Sequence, residues 1–312
     1  MTEILTRREA ILFAASAATQ AAIAQSASAG LSVTNSQGVR IVPYGPYGNQ
    51  SIPALSVLLP SRGNEVAAVV EMPEHAWRKR TKADEPEWFY RMYTNDTRLK
   101  GTLNWTRDKN TLNYRMSLPS GVGLNAKATL DADGLGIEYQ IVNPDNVAFA
   151  EAQAPTCIKL YHPFTDVFLE RTYVHHADGL DLLASETPER LTKNAEEWLP
   201  CRYIVRCAPD AVPPAQRMER QPDGITIYRK LRAADTPFLA TESSPKGWVA
   251  ATHSLSSPDV WTNPARTCHH ADSGAPLGAQ GMAELSLKLY LLRGGVKEAW
   301  NRVGERDRRR LL

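Results

Sequence analysis

Two short segments hold most of the side chains in this sequence that could carry acid/base chemistry. Five of the seven histidines fall in them. The first His segment covers residues 161–176, and the second His segment covers residues 267–272. Histidine changes charge near neutral pH and is the most frequent general acid or base. We therefore predict that these two segments contribute to a functional site.

In the first His segment, the alternation of side chains along a strand places Arg171, Tyr173 and His175 on one face. Such a row can hydrogen-bond hydroxyl groups and neutralise a carboxylate. We predict that His162 or His175 acts as the base and Tyr173 as its acid/base partner. Arg171 is predicted to bind a carboxylate or hydroxyl group of the substrate. Asp166 is a candidate for substrate binding. The alternative is structural: satisfied histidines on an open sheet, with Arg171 paired to a carboxylate.

In the second His segment, the same alternation places Cys268, His270 and Asp272 on one face. His270 and Asp272 are predicted to act as an oriented acid/base pair, and His269 to contact substrate. A structural role is again the alternative. The two rows can flank one ligand only if they lie within about 12 Å of each other. Trp261 lies in a polar stretch just before this segment, and we predict that a ring of the ligand stacks on its indole.

A metal site is a further possibility, because Cys-x-His-x-Asp plus another histidine could bind zinc or copper. The sequence has no His-x-His pair and no His-Glu-x-x-His motif, so we predict no metal and no cofactor. Glycine-rich nucleotide loops and the Gly-x-Ser-x-Gly elbow of serine hydrolases are also absent from the sequence. Four cysteines, at positions 157, 201, 207 and 268, could be either disulfide-bonded or buried thiols.

The elements that position these residues are mostly strands. Alternating or β-branched runs bounded by Gly, Pro, Asn or Asp recur along the chain and predict an all-β fold, a sandwich or a barrel. Asp131–Gly134 is predicted to be a hairpin turn. Helical periodicity is confined to Pro188–Trp198 and Val296–Arg310. The predicted strands are Val39–Val42, Val66–Val70, Thr111–Ser117, Leu124–Leu130, Gly136–Val142, Ile225–Leu231, Trp248–Thr252 and Ala283–Leu291.

Two strand stretches resemble a known superfamily. Gly123–Pro144 is similar to a hairpin of the galactose mutarotase-like proteins, and Ala279–Gly281 followed by Ala283–Leu292 resembles their last strand. The resemblance implies a large antiparallel β-supersandwich with a concave, saccharide-facing sheet. The His-x-Tyr-Phe-Asn-type motif of true mutarotases has no counterpart here, so the resemblance does not extend to mutarotase activity.

Taken with this resemblance, the candidate residues predict acid/base chemistry on a saccharide or glycan, as in a lyase, an epimerase or a hydrolase. The alternative from a different functional class is a non-catalytic saccharide-binding or scaffold protein on the same fold. The binding protein would keep its affinity for the saccharide when any one histidine is lost, whereas the enzyme would depend on its histidines for turnover.

The N-terminus has the layout of an export signal. Arg7 and Arg8 precede a weakly apolar run, and small-x-small sites end at Ala24 and Ala29. Adjacent arginines favour the twin-arginine route, with cleavage at one of these sites and a periplasmic or secreted product. The predicted organisation is a signal at 1–29, a single β-sandwich domain at 30–294 and a basic helix or tail at 295–312. An uncleaved anchor helix is the alternative.

The charge balance limits the class of partner. The 312 residues carry 36 basic and 34 acidic side chains, a net charge of +2. So small a charge produces no strong long-range field, and the basic tail has no interleaved aromatic residues. We therefore expect no nucleic-acid partner, and no membrane association once the signal has been removed.

Overall fold

Strands that alternate buried and exposed side chains build most of this chain. The computed structural model describes residues 31–44, 53–60, 65–92, 103–118, 120–207 and 217–310. The predicted export signal, residues 1–29, lies outside the described residues. Within the described ranges, no helix has both the length and the hydrophobicity needed to cross a membrane.

The described residues form 23 strands and two α-helices. In chain order the strands are β1 (Val33–Thr34), β2 (Arg40–Pro43), β3 (Ala54–Leu58), β4 (Val66–Glu71), β5 (His75–Lys79), β6 (Glu87–Arg91), β7 (Thr106–Asp108), β8 (Thr111–Ser117), β9 (Gly123–Asp131), β10 (Gly134–Val142), β11 (Phe149–Gln153), β12 (Cys157–Leu160), β13 (Thr172–His176), β14 (Gly179–Leu182), β15 (Cys201–Arg206), β16 (Met218–Arg220), β17 (Thr226–Arg229), β18 (Phe238–Glu242), β19 (Gly247–His253), β20 (Asp259–Thr262), β21 (Cys268–His269), β22 (Gly274–Leu277) and β23 (Met282–Gly294). The helices are α1 (Ala195–Trp198) and α2 (Val296–Arg310).

These strands form four sheets. The large sheet has nine strands in the order β14-β13-β18-β19-β23-β10-β9-β8-β7. The others are a six-stranded sheet (β1-β2-β3-β4-β12-β21) and two four-stranded sheets (β22-β11-β5-β6 and β16-β17-β15-β20). Every strand pair is antiparallel in the described ranges except β15 with β17. The prediction of an all-β, largely antiparallel sandwich is confirmed.

The main hydrophobic core lies between the large sheet on one side and the six-stranded sheet with β22-β11-β5-β6 on the other. Every second side chain of β9 and β10 is buried, as period-two alternation requires. Leu124 and Ile137 from the large sheet belong to the same apolar cluster as Leu55 and Ile158 from the six-stranded sheet. Removal of this apolar surface from water is the main force that holds the sheets together.

The turn between β9 and β10 confirms the predicted hairpin. The Asp131 carboxylate accepts the backbone N–H groups of Asp133 and Gly134, at 2.9 and 3.1 Å. Gly134 has a φ of +137°, and a Cβ there would lie 2.2 Å from the carbonyl oxygen of Leu289. This turn therefore requires glycine, because it brings the backbone against β23.

Helix α2 has the predicted bounds and packs on the outer face of the large sheet, opposite the main core. Val296, Ala299 and Val303 meet an apolar patch that includes Phe238 and Tyr290. The helix predicted over 188–198 is instead two short pieces, a 3-10 turn over Pro188–Thr192 and α1. The break has a local cause: Asn194 starts α1 with reciprocal side-chain to backbone bonds to Glu197, both 3.0 Å long.

Candidate functional site

An open groove of about 1090 Å³ lies on the outer face of the large sheet, the face that also carries α2. Its volume is slightly above the range of about 300–1,000 Å³ typical of small-molecule sites. Polar side chains from five neighbouring strands line it: Thr106, Asn113, Arg115, Asn125, Lys127, Glu138, Gln140, Glu284 and Ser286.

Strand register arranges most of these side chains into two rows across β8, β9, β10 and β23. The first row is Asn113, Lys127, Glu138 and Ser286; the second is Arg115, Asn125, Gln140 and Glu284. Lys127 Nζ donates to Glu138 Oε2 at 3.0 Å. Gln140 Nε2 donates to Glu284 Oε1 at 3.3 Å. The groove thus presents amides, carboxylates and cations in fixed positions, which together supply both donors and acceptors.

Sequence reasoning missed this groove, and none of the nine residues predicted for the site lines it. A signal was present, because each of these strands alternates apolar with polar residues. The polar half could equally have been an ordinary solvated face. Two tyrosines of the lining strands direct their hydroxyls elsewhere: Tyr139 bonds Thr156 at 2.6 Å, and Tyr114 bonds the Met72 carbonyl.

The predicted row Arg171, Tyr173 and His175 faces the C-terminal helix. Tyr173 packs against the apolar cluster under α2, and burial raises its pKa. The His175 ring stacks on Trp300 with centroids 3.6 Å apart, and its Nδ1 lies 2.8 Å from Asp235 Oδ2. The side chains of this row therefore already have protein partners.

The other polar residues of the first His segment secure the chain before β13. The buried Asp166 carboxylate accepts the backbone N–H groups of Glu170 and Arg171 and the hydroxyl of Thr172. Arg171 donates to two backbone carbonyls, those of Thr165 and Glu242. His162 is exposed in the turn after β12.

His269 lies in the interior, between the six-stranded sheet and the large sheet. Its Nε2 is 2.8 Å from Thr241 Oγ1, and its Nδ1 is 3.2 Å from Thr252 Oγ1. Thr241 in turn bonds Thr172 at 2.9 Å. Complete burial, helped by the nearby charge of His270, lowers the pKa of His269 to about 3. His269 is therefore a neutral link between two sheets.

The two predicted rows lie on opposite sides of the sandwich. His269 points inward and meets Thr241, so alternation turns Cys268 and His270 to the outer face of the six-stranded sheet. Thr172 also points inward to Thr241, so its neighbour Tyr173 faces α2 instead. The rows cannot flank one ligand, and the roles predicted for their residues remain predictions.

On that outer face, Cys268, His270 and Asp272 do come together, with Trp261. The Trp261 ring stacks on His270 with centroids 3.5 Å apart, and Nε1 donates to Asp272 Oδ2 at 3.2 Å. His270 Nδ1 lies 3.5 Å from the same Asp272 oxygen. Burial alone would lower the pKa of His270, but the Cys268 thiolate and Asp272 outweigh it and raise the pKa to about 10.

Cys157, from β12, completes this cluster. Nothing in the sequence indicated that Cys157 lies beside Cys268 and His270. Its Sγ, that of Cys268 and a ring nitrogen of His270 all lie within 4.8 Å of one another. A hydrogen bond from Cys157 lowers the pKa of Cys268 well below its usual range. The buried ion pair of Glu71 with Lys159 lies on the same face. All four cysteines are buried, and none of them forms a disulfide.

Comparison with known proteins gives a likeness in structure only. No protein-family model and no curated protein matches this sequence. A galactose mutarotase-like protein from Lactobacillus casei is 10% identical, with a TM-score of 0.44 over 84% of this chain and 99% of that one. A galactose mutarotase related enzyme from Lactobacillus acidophilus is 7% identical, with a TM-score of 0.45 over 84% and 96%. The chain is similar to galactose mutarotase-like proteins.

A third solved structure is the α-N-acetylgalactosaminidase of Bifidobacterium bifidum in complex with GalNAc. It is 13% identical, with a TM-score of 0.46 over 88% of this chain and 39% of that enzyme. These likenesses concern the arrangement of strands, and they assign no residue role, substrate or activity to this chain.

Asp259, two residues before Trp261 and near the cluster of Cys268, His270 and Asp272, makes the stability of the protein depend on pH. Burial, reinforced by Asp272, raises its pKa from 3.8 to about 6. The folded state therefore binds this proton more tightly, and stability falls as pH rises from about 4 to 6, by at most about 1.4 kcal/mol per pH unit. In Asp259→Asn this contribution is absent.

The free energy of unfolding in urea, measured from pH 4 to 8, should show the variant gaining on the wild type up to about pH 6 and then running parallel to it. Parallel curves over the whole range would contradict the assignment.

Proposed function

We propose that this protein is an exported saccharide-binding protein whose ligand occupies the groove on the large sheet. The observation that carries the proposal is the groove itself: an open cavity lined by two rows of amide, carboxylate and cationic side chains. Saccharides present dense hydroxyl groups that both donate and accept hydrogen bonds, as these side chains do.

The charges of the groove support a neutral or mixed saccharide better than a polyanion. Arg115 and Lys127 balance Glu138 and Glu284 within the lining. Lys127 is already paired with Glu138, whereas the neighbour of Arg115 in its row is the uncharged amide of Asn125. A short glycan that lies across the strands could bond both rows at once.

Replacing both amides at the centre of the groove, in Asn125→Ala/Gln140→Ala, should weaken binding by about 5- to 150-fold, because each of the two lost hydrogen bonds contributes about 0.5–1.5 kcal/mol. Titration calorimetry with a panel of neutral and uronate-containing oligosaccharides provides the measurement. Arg220→Ala, on the exposed strand β16, is the matched control and should bind as the wild type does. Equal affinities for both variants would place the ligand elsewhere.

Catalysis is the second candidate, and one observation favours it. Glu138 and Glu284 lie on adjacent strands as diagonal neighbours, because Glu138 pairs with Ser286. Diagonal neighbours on one face have Cα atoms about 7–8 Å apart. Two flexible glutamate side chains that start at this backbone spacing can place their carboxyl groups about 6.5–9.5 Å apart, the separation found in inverting glycosidases.

If the protein is a hydrolase of this kind, Glu138→Gln and Glu284→Gln should each reduce turnover by at least 100-fold while affinity changes little. Release of reducing ends from the bound glycans is the assay, with Arg220→Ala again as the control. Binding by the wild type without any turnover would leave the non-catalytic proposal alone.

Export by the twin-arginine route is supported by Arg7, Arg8 and the small-x-small sites that follow them. In a bacterial host, Arg7→Lys/Arg8→Lys should leave the precursor in the cytoplasm, whereas Arg308→Lys/Arg309→Lys should not. Fractionation followed by N-terminal sequencing should find a mature chain that starts at Gln25 or Gly30. A periplasmic chain that still begins at Met1 would contradict cleavage.

A further inference from the structure

We propose that Cys157, Cys268 and His270 bind one zinc ion on the outer face of the six-stranded sheet. One sulfur from each cysteine and one ring nitrogen of His270 all lie within 4.8 Å of one another. The three side chains are 1–3% exposed. Two thiolates and one imidazole form a donor set that zinc prefers, and three convergent donors are sufficient to hold it.

Strand pairing explains why residues more than a hundred positions apart meet here. In the pairing of β12 with β21, Lys159 lies opposite Cys268 and Ile158 opposite His269. The same register, continued by one residue, places Cys157 opposite His270. Because alternate residues share a face, both cysteines and the histidine point to the same side of the sheet.

The surroundings of the three donors fit a metal site. The backbone N–H of Asn263 donates to Cys268 Sγ at 3.3 Å, which stabilises a thiolate at that position. Asp272 Oδ2 lies 3.5 Å from His270 Nδ1. A metal-bound imidazole usually has such a carboxylate beside the ring nitrogen that does not bind the metal. The Trp261 ring covers His270. These contacts hold the imidazole and one sulfur in place before a metal arrives.

Glu74 is the candidate fourth ligand. One of its carboxylate oxygens lies within 4.8 Å of Cys157 Sγ. Glu71 is near as well, but it is engaged by Lys159. With Glu74 the site would be four-coordinate and closed, as structural zinc sites are. It would tie β12 to β21 and to the turn before β5, and it is separate from the groove, which lies on the outer face of a different sheet.

The test is the metal content of the purified full-length chain, measured by plasma mass spectrometry. We expect about one zinc per chain in the wild type and near zero in Cys157→Ser/Cys268→Ser. The matched control is Cys201→Ser/Cys207→Ser, which changes the buried cysteine that begins β15 and the one that follows it, and which should retain zinc. A chelator should lower the Tm of the wild type.

A spectroscopic measurement on the wild type keeps the proposal falsifiable if the serine variant fails to fold. Replacement of zinc by Co²⁺ should produce thiolate-to-cobalt charge-transfer absorption and intense visible bands of a tetrahedral site. Their absence, substoichiometric zinc in fresh protein, copper in its place, or a Cys157–Cys268 disulfide in peptide mapping would each overturn the assignment. So would zinc retained by a folded Cys157→Ser/Cys268→Ser variant.

Discussion

The pairing of β23 with β10 is the interaction on which the rest of this structure depends. It joins the last strand of the chain to the β9–β10 hairpin over nine residue pairs, from Gly134 with Tyr290 to Val142 with Met282. One face of these strands closes the main core, and the other supplies Glu284 and Ser286 to the groove. Because α2 follows β23 directly, the same pairing also determines where the helix lies on the sheet.

A single sheet face therefore serves two purposes. Toward β18 and β19 its outer side chains are apolar and covered by α2, whereas toward β8 and β9 they are polar and open. The boundary lies within β23, where Ser286 is followed by Lys288 and then Tyr290. Lys288 is buried and paired with Asp131, so an ion pair lies between the polar groove and the apolar patch under α2.

The interior of the sandwich is not purely apolar. Asp166, Thr172, Thr241 and His269 form a chain of hydrogen bonds that crosses from the large sheet to the six-stranded sheet. A buried polar group left without its partner costs about 1–3 kcal/mol, so each member constrains the next. Such a chain fixes how the two sheets are set against each other, and it accounts for the position of polar residues of both His segments.

Much of the fold could be derived from the sequence, because alternation and turn chemistry are local. Period-two patterns located β8, β9, β10 and β23, and Asp131–Gly134 was recognisable as a hairpin turn. The bounds of α2 also followed, from the Gly294-Gly295 pair and the helical periodicity after it. The break before α1 was missed, because Asn194 and Glu197 can also lie inside a continuous helix, and only their reciprocal hydrogen bonds show that a new helix begins there.

The sequence by itself determined which residues share a strand face: Arg171 with Tyr173 and His175, and Cys268 with His270 and Asp272. Only the tertiary structure decided what each face meets. It set the first row against α2, brought Cys157 to the second, and lined a groove with residues that had looked like ordinary solvent-facing positions. The physical reason is that alternation is a property of one strand, whereas a site requires neighbouring strands whose order and register depend on contacts between residues far apart in the chain.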